Sequence, residues 1–203
     1  MIQQEVEPVI ALLKTYPYLE DFYYDIRARD PATLDPVERA ARFIYLNRTC
    51  FNGLYRVNKH NQFNVPFGAY TNPVICDETR LRAVSRTLQG VMFFSEDYKE
   101  FLEREVKAGD FIYLDPPYQP VSKYSDFKRY TSSQFYEKDQ KDLAGSIRRL
   151  VDLGCHVLVS NSDTPLIREF YKEFEIVNVL ARRNINKNGH GRGVVGEVLI
   201  VCK

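Results

Sequence analysis

The residues in this chain whose types and spacing can do chemistry are Asp115, Pro116, Pro117 and Tyr118, which follow directly on the apolar run Phe111, Ile112, Tyr113, Leu114. An exocyclic amine on an aromatic ring is a poor nucleophile, because its lone pair is delocalised, until acceptors hold both of its hydrogens and favour a more tetrahedral nitrogen. A carboxylate at Asp115 can take one hydrogen and the Pro116 carbonyl the other, while two consecutive prolines stiffen the backbone and add no competing N–H. Tyr118 offers a flat face on which a base swung out of a duplex can stack. The reaction that suits such a site is in-line displacement at a methyl sulfonium, with rate gained by positioning and electrostatics rather than by a covalent intermediate. The plain alternative is a Pro-rich strand exit closed by an Asp turn.

The elements that must position this tetrad can be read from periodicity. Residues 111–114 form a strand, residues 137–153 a helix with Leu143, Ile147, Leu150 and Val151 on one face, and residues 156–160 a second strand. A helix at about 165–174 leads to strands at 175–179 and 197–201, and these last two, joined without a helix, predict an antiparallel pair at one end of the sheet. Strands alternating with helices indicate an α/β fold with parallel strands, and a carboxylate at the C-terminal end of a strand lies where open sheets of this class place ligands. Upstream, residues 3–14, 36–46, 77–88 and 98–106 read as helices and residues 91–94 as a short buried strand. Between Asn47 and Tyr70 the chain is rich in Asn, Gly, Arg and aromatic residues, with a hairpin turn predicted at residues 58–61 between two short arms.

DPPY matches the amino-methyltransferases, and three upstream stretches, Tyr45-Leu46-Asn47-Arg48, residues 51–58 and residues 63–68, look like the target-recognition region of Dam-type DNA adenine-N6 methyltransferases. The resemblance continues through Ser160-Asn161-Ser162-Asp163 to Arg182-Arg183-Asn184 and Gly196-Glu197, and so covers nearly the whole chain. It implies a Rossmann-like methyltransferase sheet with an inserted helical and hairpin recognition sub-domain at 1–88 and a catalytic part at 89–203. Asp115, Pro116, Pro117 and Tyr118 would then be catalytic, and Asp97, Tyr98 and Asp115 would contact S-adenosylmethionine. Arg48, Phe51, Asn52, Arg56, Asn58, Asn64 and Pro66 would face double-stranded DNA, with Arg56 reading guanine O6 and N7 through its fork and Phe51 wedging beside the extruded adenine. A GATC-like site is what the family suggests. Ala69 stands where some relatives carry a basic residue. Read without the family, Asp97 is an ordinary helix N-cap, and the Lys187, His190 and Arg192 loop is either a cationic arm of the site or a solvated surface loop.

The resemblance lacks one part. Dam-type enzymes begin with a Lys-containing Gly-rich segment and a first strand ending in a Phe-x-Gly-x-Gly-like turn, and this chain has neither. The glycines at 189, 191, 193 and 196 lie between the last two strands and cannot stand in for a strand-to-helix turn. The expectation is an incomplete sheet with N-terminal strands missing, in a fragment, a truncated product or one half of a split enzyme completed by a separate N-terminal chain. Three other readings follow: a catalytically inert DNA-binding fragment, methylation of cytosine N4, and methylation of RNA or protein glutamine. With 203 residues, 44% apolar content and a net charge of +1, the chain can bury a core, and DNA binding must use a local Arg and Lys cluster rather than a whole-molecule field. Cys50, Cys76, Cys155 and Cys202 show no metal-ligand spacing and read as reduced core residues, so no metal is expected. No apolar run is long enough for a membrane helix and no signal peptide is recognisable, which makes the cytoplasm the default location.

Overall fold

The computed structural model describes residues 1–121, 135–182 and 194–203, so the loop carrying Lys187, His190 and Arg192 lies outside the described residues. The chain divides into two compact units, one formed by Met1–Phe93 and the other by the described residues from Phe94 onward. No helix among the described residues is long and apolar enough to cross a membrane.

The first unit is built on four helices: α1 (Val6–Lys14), α2 (Glu20–Ala28), α3 (Pro36–Thr49) and α4 (Glu78–Thr87). The sequence starts α3 firmly, because Asp35 accepts from the Val37 and Glu38 amides, Glu38 reaches back to the Asp35 amide, and Pro36 occupies the first turn, where its missing N–H costs nothing. Helix α2, which periodicity did not reveal, begins at Leu19 with no side-chain cap. It is held instead by packing and by its partner helix. Tyr23 and Ile26 are fully buried, and buried Arg42 of α3 donates to the Ile26 carbonyl at 2.9 Å and the Arg27 carbonyl at 2.8 Å, satisfying acceptors that the end of α2 leaves open.

The polar segment after α3 is a loop fastened to this bundle. A 3-10 turn at Phe51–Gly53 follows α3, and single antiparallel bridges join Cys50 to Phe67 and Val57 to Phe63. The expected hairpin is thus one bridge with a turn, and the turn is tied by Asn58, whose side-chain oxygen accepts from the His60 and Gln62 amides. Tyr23 donates to the Val65 carbonyl at 2.8 Å, Arg27 donates to the same oxygen at 3.1 Å, and Tyr18 donates to the Gly68 carbonyl. Gly68 is required by close approach: a Cβ there would lie 2.5 Å from the Tyr70 ring and 2.8 Å from the Cys50 carbonyl oxygen.

The second unit contains α5 (Tyr98–Glu105), β1 (Phe111–Leu114), α6 (Glu137–Asp152), β2 (His156–Ser162), α7 (Pro165–Phe170), β3 (Glu175–Arg182) and β4 (Val194–Cys202). The four strands form one mixed sheet in the order β1-β2-β4-β3, with β1 and β2 parallel and the other two pairings antiparallel, so the expected antiparallel pair closes one side. Register places Ile112 beside Val157 and Val159 beside Ile200. Their side chains pack with Leu143, Ile147 and Leu150 of α6 and Ile167 of α7 into one core. The opposite side of β1 carries the exposed Phe111 and Tyr113.

One expectation fails. Residues 91–94 form no strand, and Met92 and Phe93 are 76% and 63% exposed rather than buried. An apolar run of four becomes a buried strand only when a neighbouring strand pairs with its backbone, and no described strand does so here. The anchoring of the polar loop yields a stability test: Tyr23→Phe removes a buried donor while Arg27 still serves the Val65 carbonyl. The substitution should lower unfolding free energy by about 1 kcal/mol in urea titration.

Candidate active site and nucleic-acid interface

Asp115 leaves the end of β1, and β2 runs beside it in parallel. Side chains alternate across a strand, so successive residues of β2 reach the tetrad from opposite faces of the sheet. Ser160 shares the face of Tyr113. It donates to Asp115 Oδ1 at 2.8 Å and accepts from the Tyr113 hydroxyl at 3.0 Å. Asn161 points to the helix-covered face, where it is fully buried. Its Oδ1 accepts from the Gln119 amide at 2.9 Å and the Ser162 amide at 2.9 Å, and its Nδ2 donates to Gln140 Oε1 at 3.2 Å. Gln140, on the first turn of α6 and 1% exposed, then donates to the Pro117 carbonyl at 2.8 Å.

These bonds occupy Asp115 Oδ1 and the Pro117 carbonyl. Among the described residues, nothing donates to Asp115 Oδ2 or to the Pro116 carbonyl, two acceptors on adjacent residues. That pair is what an exocyclic amine with two hydrogens requires. Burial pushes the Tyr118 phenol above its ordinary range, against a hydrogen bond with Ser160 that lowers it, so the ring stands in its neutral form at physiological pH.

Two of the residues expected at a cofactor lie close by in sequence. Asp97 caps α5, its Oδ1 accepting from the Lys99 amide at 2.9 Å, and its second oxygen has no partner among the described residues. The Tyr98 hydroxyl is buried without a partner among the described residues, with the ring packed against the core. For a bound sulfonium cofactor, with its ribose hydroxyls and ammonium, the described residues therefore offer the carboxylates of Asp97 and Asp115 as acceptors. They include no Gly-rich strand-to-helix turn, so they fit one part of such a molecule. No group of three or more His, Cys, Asp or Glu residues among those described could hold a metal ion.

The residues expected at DNA all belong to the first unit. Arg48 and Pro66 are exposed, as is Phe51 at 52%. Arg48 lines a shallow hollow with Ile44, Ile75, Asp77, Arg80 and Leu81. Asn52 adopts φ +54°, a left-handed conformation that Asn tolerates better than most residues, and this turns the chain after Phe51. Arg56 and Asn64 are bonded to each other: Arg56 Nε donates to Asn64 Oδ1 at 2.8 Å and Nη2 to the Asn64 carbonyl at 3.3 Å. One edge of the guanidinium is thereby fixed, and its end-on fork of Nη1 and Nη2 remains open. Asn58 differs from the rest, since its side chain is engaged within its own turn.

Sequence reasoning did not single out Gln140, Ser160 and Tyr113 as parts of this site, nor assign a task to Asn161. The available signal was the triplet Ser160-Asn161-Ser162, three polar residues that follow the apolar run Val157–Val159 in the same strand, all three of them buried. Such groups need internal partners, and an adjacent loop whose two prolines supply no N–H and leave carbonyls to be met is a natural one.

The sequence profile described as D12 class N6 adenine-specific DNA methyltransferase matches residues 1–185. Similar proteins include the type II methyltransferase M.MjaIII of Methanocaldococcus jannaschii, 42% identical over 177 residues, covering 85% of this chain and 61% of that protein. The type II methyltransferase M1.LlaDCHI of Lactococcus lactis subsp. cremoris is 39% identical, covering 89% of this chain and 66% of its own length. The DNA adenine methylase of Escherichia coli K12 is 38% identical, covering 90% and 65% respectively. This chain thus spans somewhat less than two thirds of each of these relatives.

One residue beyond the triplet sets a pH dependence. Asp163 binds Arg168 through both oxygens, at 2.6 and 3.0 Å, and the guanidinium holds its carboxyl below the usual carboxylate range. Because the folded value is depressed, the stabilisation is fully present above the unfolded value, about 3.9, and is lost as pH falls through the folded one. Asp163→Asn should lower the urea midpoint slightly at pH 7 and leave it unchanged near pH 2, since the pair is largely solvated.

Proposed function

This chain belongs to the D12 class of N6 adenine-specific DNA methyltransferases, and from that premise we propose that it carries the catalytic site and the target-reading loop for transferring a methyl group from S-adenosylmethionine to adenine N6 in duplex DNA. The observation that carries the reading is the free acceptor pair, Asp115 Oδ2 and the Pro116 carbonyl, beside an Asp115 oxygen already fixed by Ser160. The cofactor, when bound, supplies a methyl group on a sulfonium. Asp115 and Pro116 accept the two amine hydrogens of an extruded adenine and draw them out of the ring plane, so that the nitrogen becomes more tetrahedral and its lone pair is freed from the ring to face the methyl group. Tyr118 stacks on the base with a neutral ring, and the Asp115 carboxylate stabilises the positive charge that grows on nitrogen as the sulfur–methyl bond would break, a charge relieved when one amine proton leaves to solvent. Asp97, with its unbonded oxygen, and Tyr98 are the assigned cofactor neighbours.

In the first unit, Arg56 presents its fork to guanine O6 and N7, at the angle Asn64 imposes, within a GATC-like site. Phe51 wedges beside the extruded base, while Arg48, Asn52, Asn58 and Pro66 flank the duplex. We read residues 1–88 as the recognition sub-domain and residues 89–203 as the catalytic part. The four strands belong to a larger Rossmann-like sheet. Support for that sheet comes from β1, whose outer edge pairs with no described strand and whose Phe111 is 69% exposed, although parallel strands are ordinarily covered on both faces. Polypeptide outside these 203 residues, in the same or a separate chain, would then complete the cofactor site.

The test is methyl transfer from labelled S-adenosylmethionine to unmethylated duplex DNA, by this chain alone and with the N-terminal segment of a relative supplied. Transfer to adenine is expected in the completed protein, and Asp115→Ala should reduce it by at least about a hundredfold. Full activity of Asp115→Ala would refute the assignment of the site. Arg56→Ala should reduce discrimination at one guanine by about 1–3 kcal/mol, read from binding to duplexes substituted at single positions. A uniform loss across all duplexes would make Arg56 a backbone contact instead.

A further inference from the structure

We infer that Gln140 and Ser160 are positioning residues that determine which oxygens of the tetrad remain free to accept the substrate amine, an inference that rests on the proposed methyl transfer. The argument is directional. Two backbone amides, Gln119 and Ser162, converge on Asn161 Oδ1. That orientation commits Nδ2 to face Gln140, so Gln140 must present Oε1 to it and Nε2 to the Pro117 carbonyl. Turning either side-chain amide over would set donor against donor or acceptor against acceptor in a place where water does not reach.

The chain of bonds therefore fixes the Pro117 carbonyl from the helix-covered face, while Ser160 fixes Asp115 Oδ1 from the other. The loop carries several oxygens that could accept an amine hydrogen, and these two bonds engage one carboxylate oxygen of Asp115 and the Pro117 carbonyl. Asp115 Oδ2 and the Pro116 carbonyl belong to adjacent residues and can serve one nitrogen together. A purely architectural role would satisfy the buried amides equally well, but it would not require the donors to select alternate acceptors of the same loop.

The variants that separate the two roles are Gln140→Leu, which removes the donor in a similar volume, and Gln140→Glu, whose carboxylate cannot donate to a carbonyl. Ser160→Ala tests the other face, and Ser160→Thr restores the hydroxyl. Each would be assayed in the completed, active protein beside Asp115→Ala. The expected result is a fall in kcat of about 10- to 100-fold for Gln140→Leu, Gln140→Glu and Ser160→Ala. KM for DNA and S-adenosylmethionine affinity should stay within about twofold, with much of kcat recovered in Ser160→Thr. Parental kcat in Gln140→Leu and Ser160→Ala would overturn the inference and leave the proposed function standing. Losses of kcat that track losses of thermal stability and DNA binding, with no recovery in Ser160→Thr, would assign these side chains to folding and also overturn it. A parent protein that does not methylate adenine would remove the proposed function and this inference with it.

Discussion

An amine with two hydrogens needs two acceptors at once, held at a spacing set by a single nitrogen, and the second unit holds four residues of loop in a way that meets that constraint. Asp115-Pro116-Pro117-Tyr118 is rich in acceptors and poor in donors, because proline contributes none. Left alone, such a loop would offer several carbonyl and carboxylate oxygens in competing orientations. The sheet resolves the competition by bringing donors to two of them. Ser160 and Asn161 are neighbours in sequence, yet strand alternation sends them to opposite faces, so one parallel strand supports the tetrad from both sides.

The energetic basis of that arrangement is burial. Gln140 and Asn161 are 1% and 0% exposed, and in such a place an unmade hydrogen bond costs about 1–3 kcal/mol. Among the described residues, the only buried side-chain polar atoms without partners are the Tyr98 and Tyr171 hydroxyls, so the amide chain is complete. The polar loop after α3 uses the same principle with different chemistry. Its backbone carbonyls are held by Tyr18, Tyr23 and Arg27, aromatic and cationic side chains rooted in or beside α2, and the Arg56 guanidinium is oriented by Asn64 within the loop itself. In both units a flexible segment is fixed by buried or half-buried donors from regular elements, which leaves its outward groups free to meet a ligand.

Much of this was legible in the sequence where local pattern and tertiary context agree. The strand at 111–114, the helix starting at Glu137 and the closing antiparallel pair follow from apolar periodicity, and Asp35-Pro36 with Glu38 announces the start of α3. Elements that depend on partners far away in sequence were harder to see. Helix α2 mixes Phe22, Tyr23 and Tyr24, residues as common in strands as in helices, lacks an N-cap, and owes its C-terminal satisfaction to Arg42 of another helix. Residues 91–94 have the composition of a strand but no described pairing partner, so composition alone misled. DPPY was readable as chemistry, whereas the Gln140–Asn161 chain was not, because it joins side chains 21 residues apart through amide orientations that no sequence pattern encodes.

The most direct measurement is a crystal structure of the active protein with a cognate duplex and a non-reactive cofactor analogue. The account predicts an extruded adenine stacked on Tyr118, its N6 donating to Asp115 Oδ2 and to the Pro116 carbonyl, with Gln140 still bonded to the Pro117 carbonyl. An adenine amine bonded instead to the Pro117 carbonyl after displacement of Gln140, or a base that bypasses the tetrad, would contradict it.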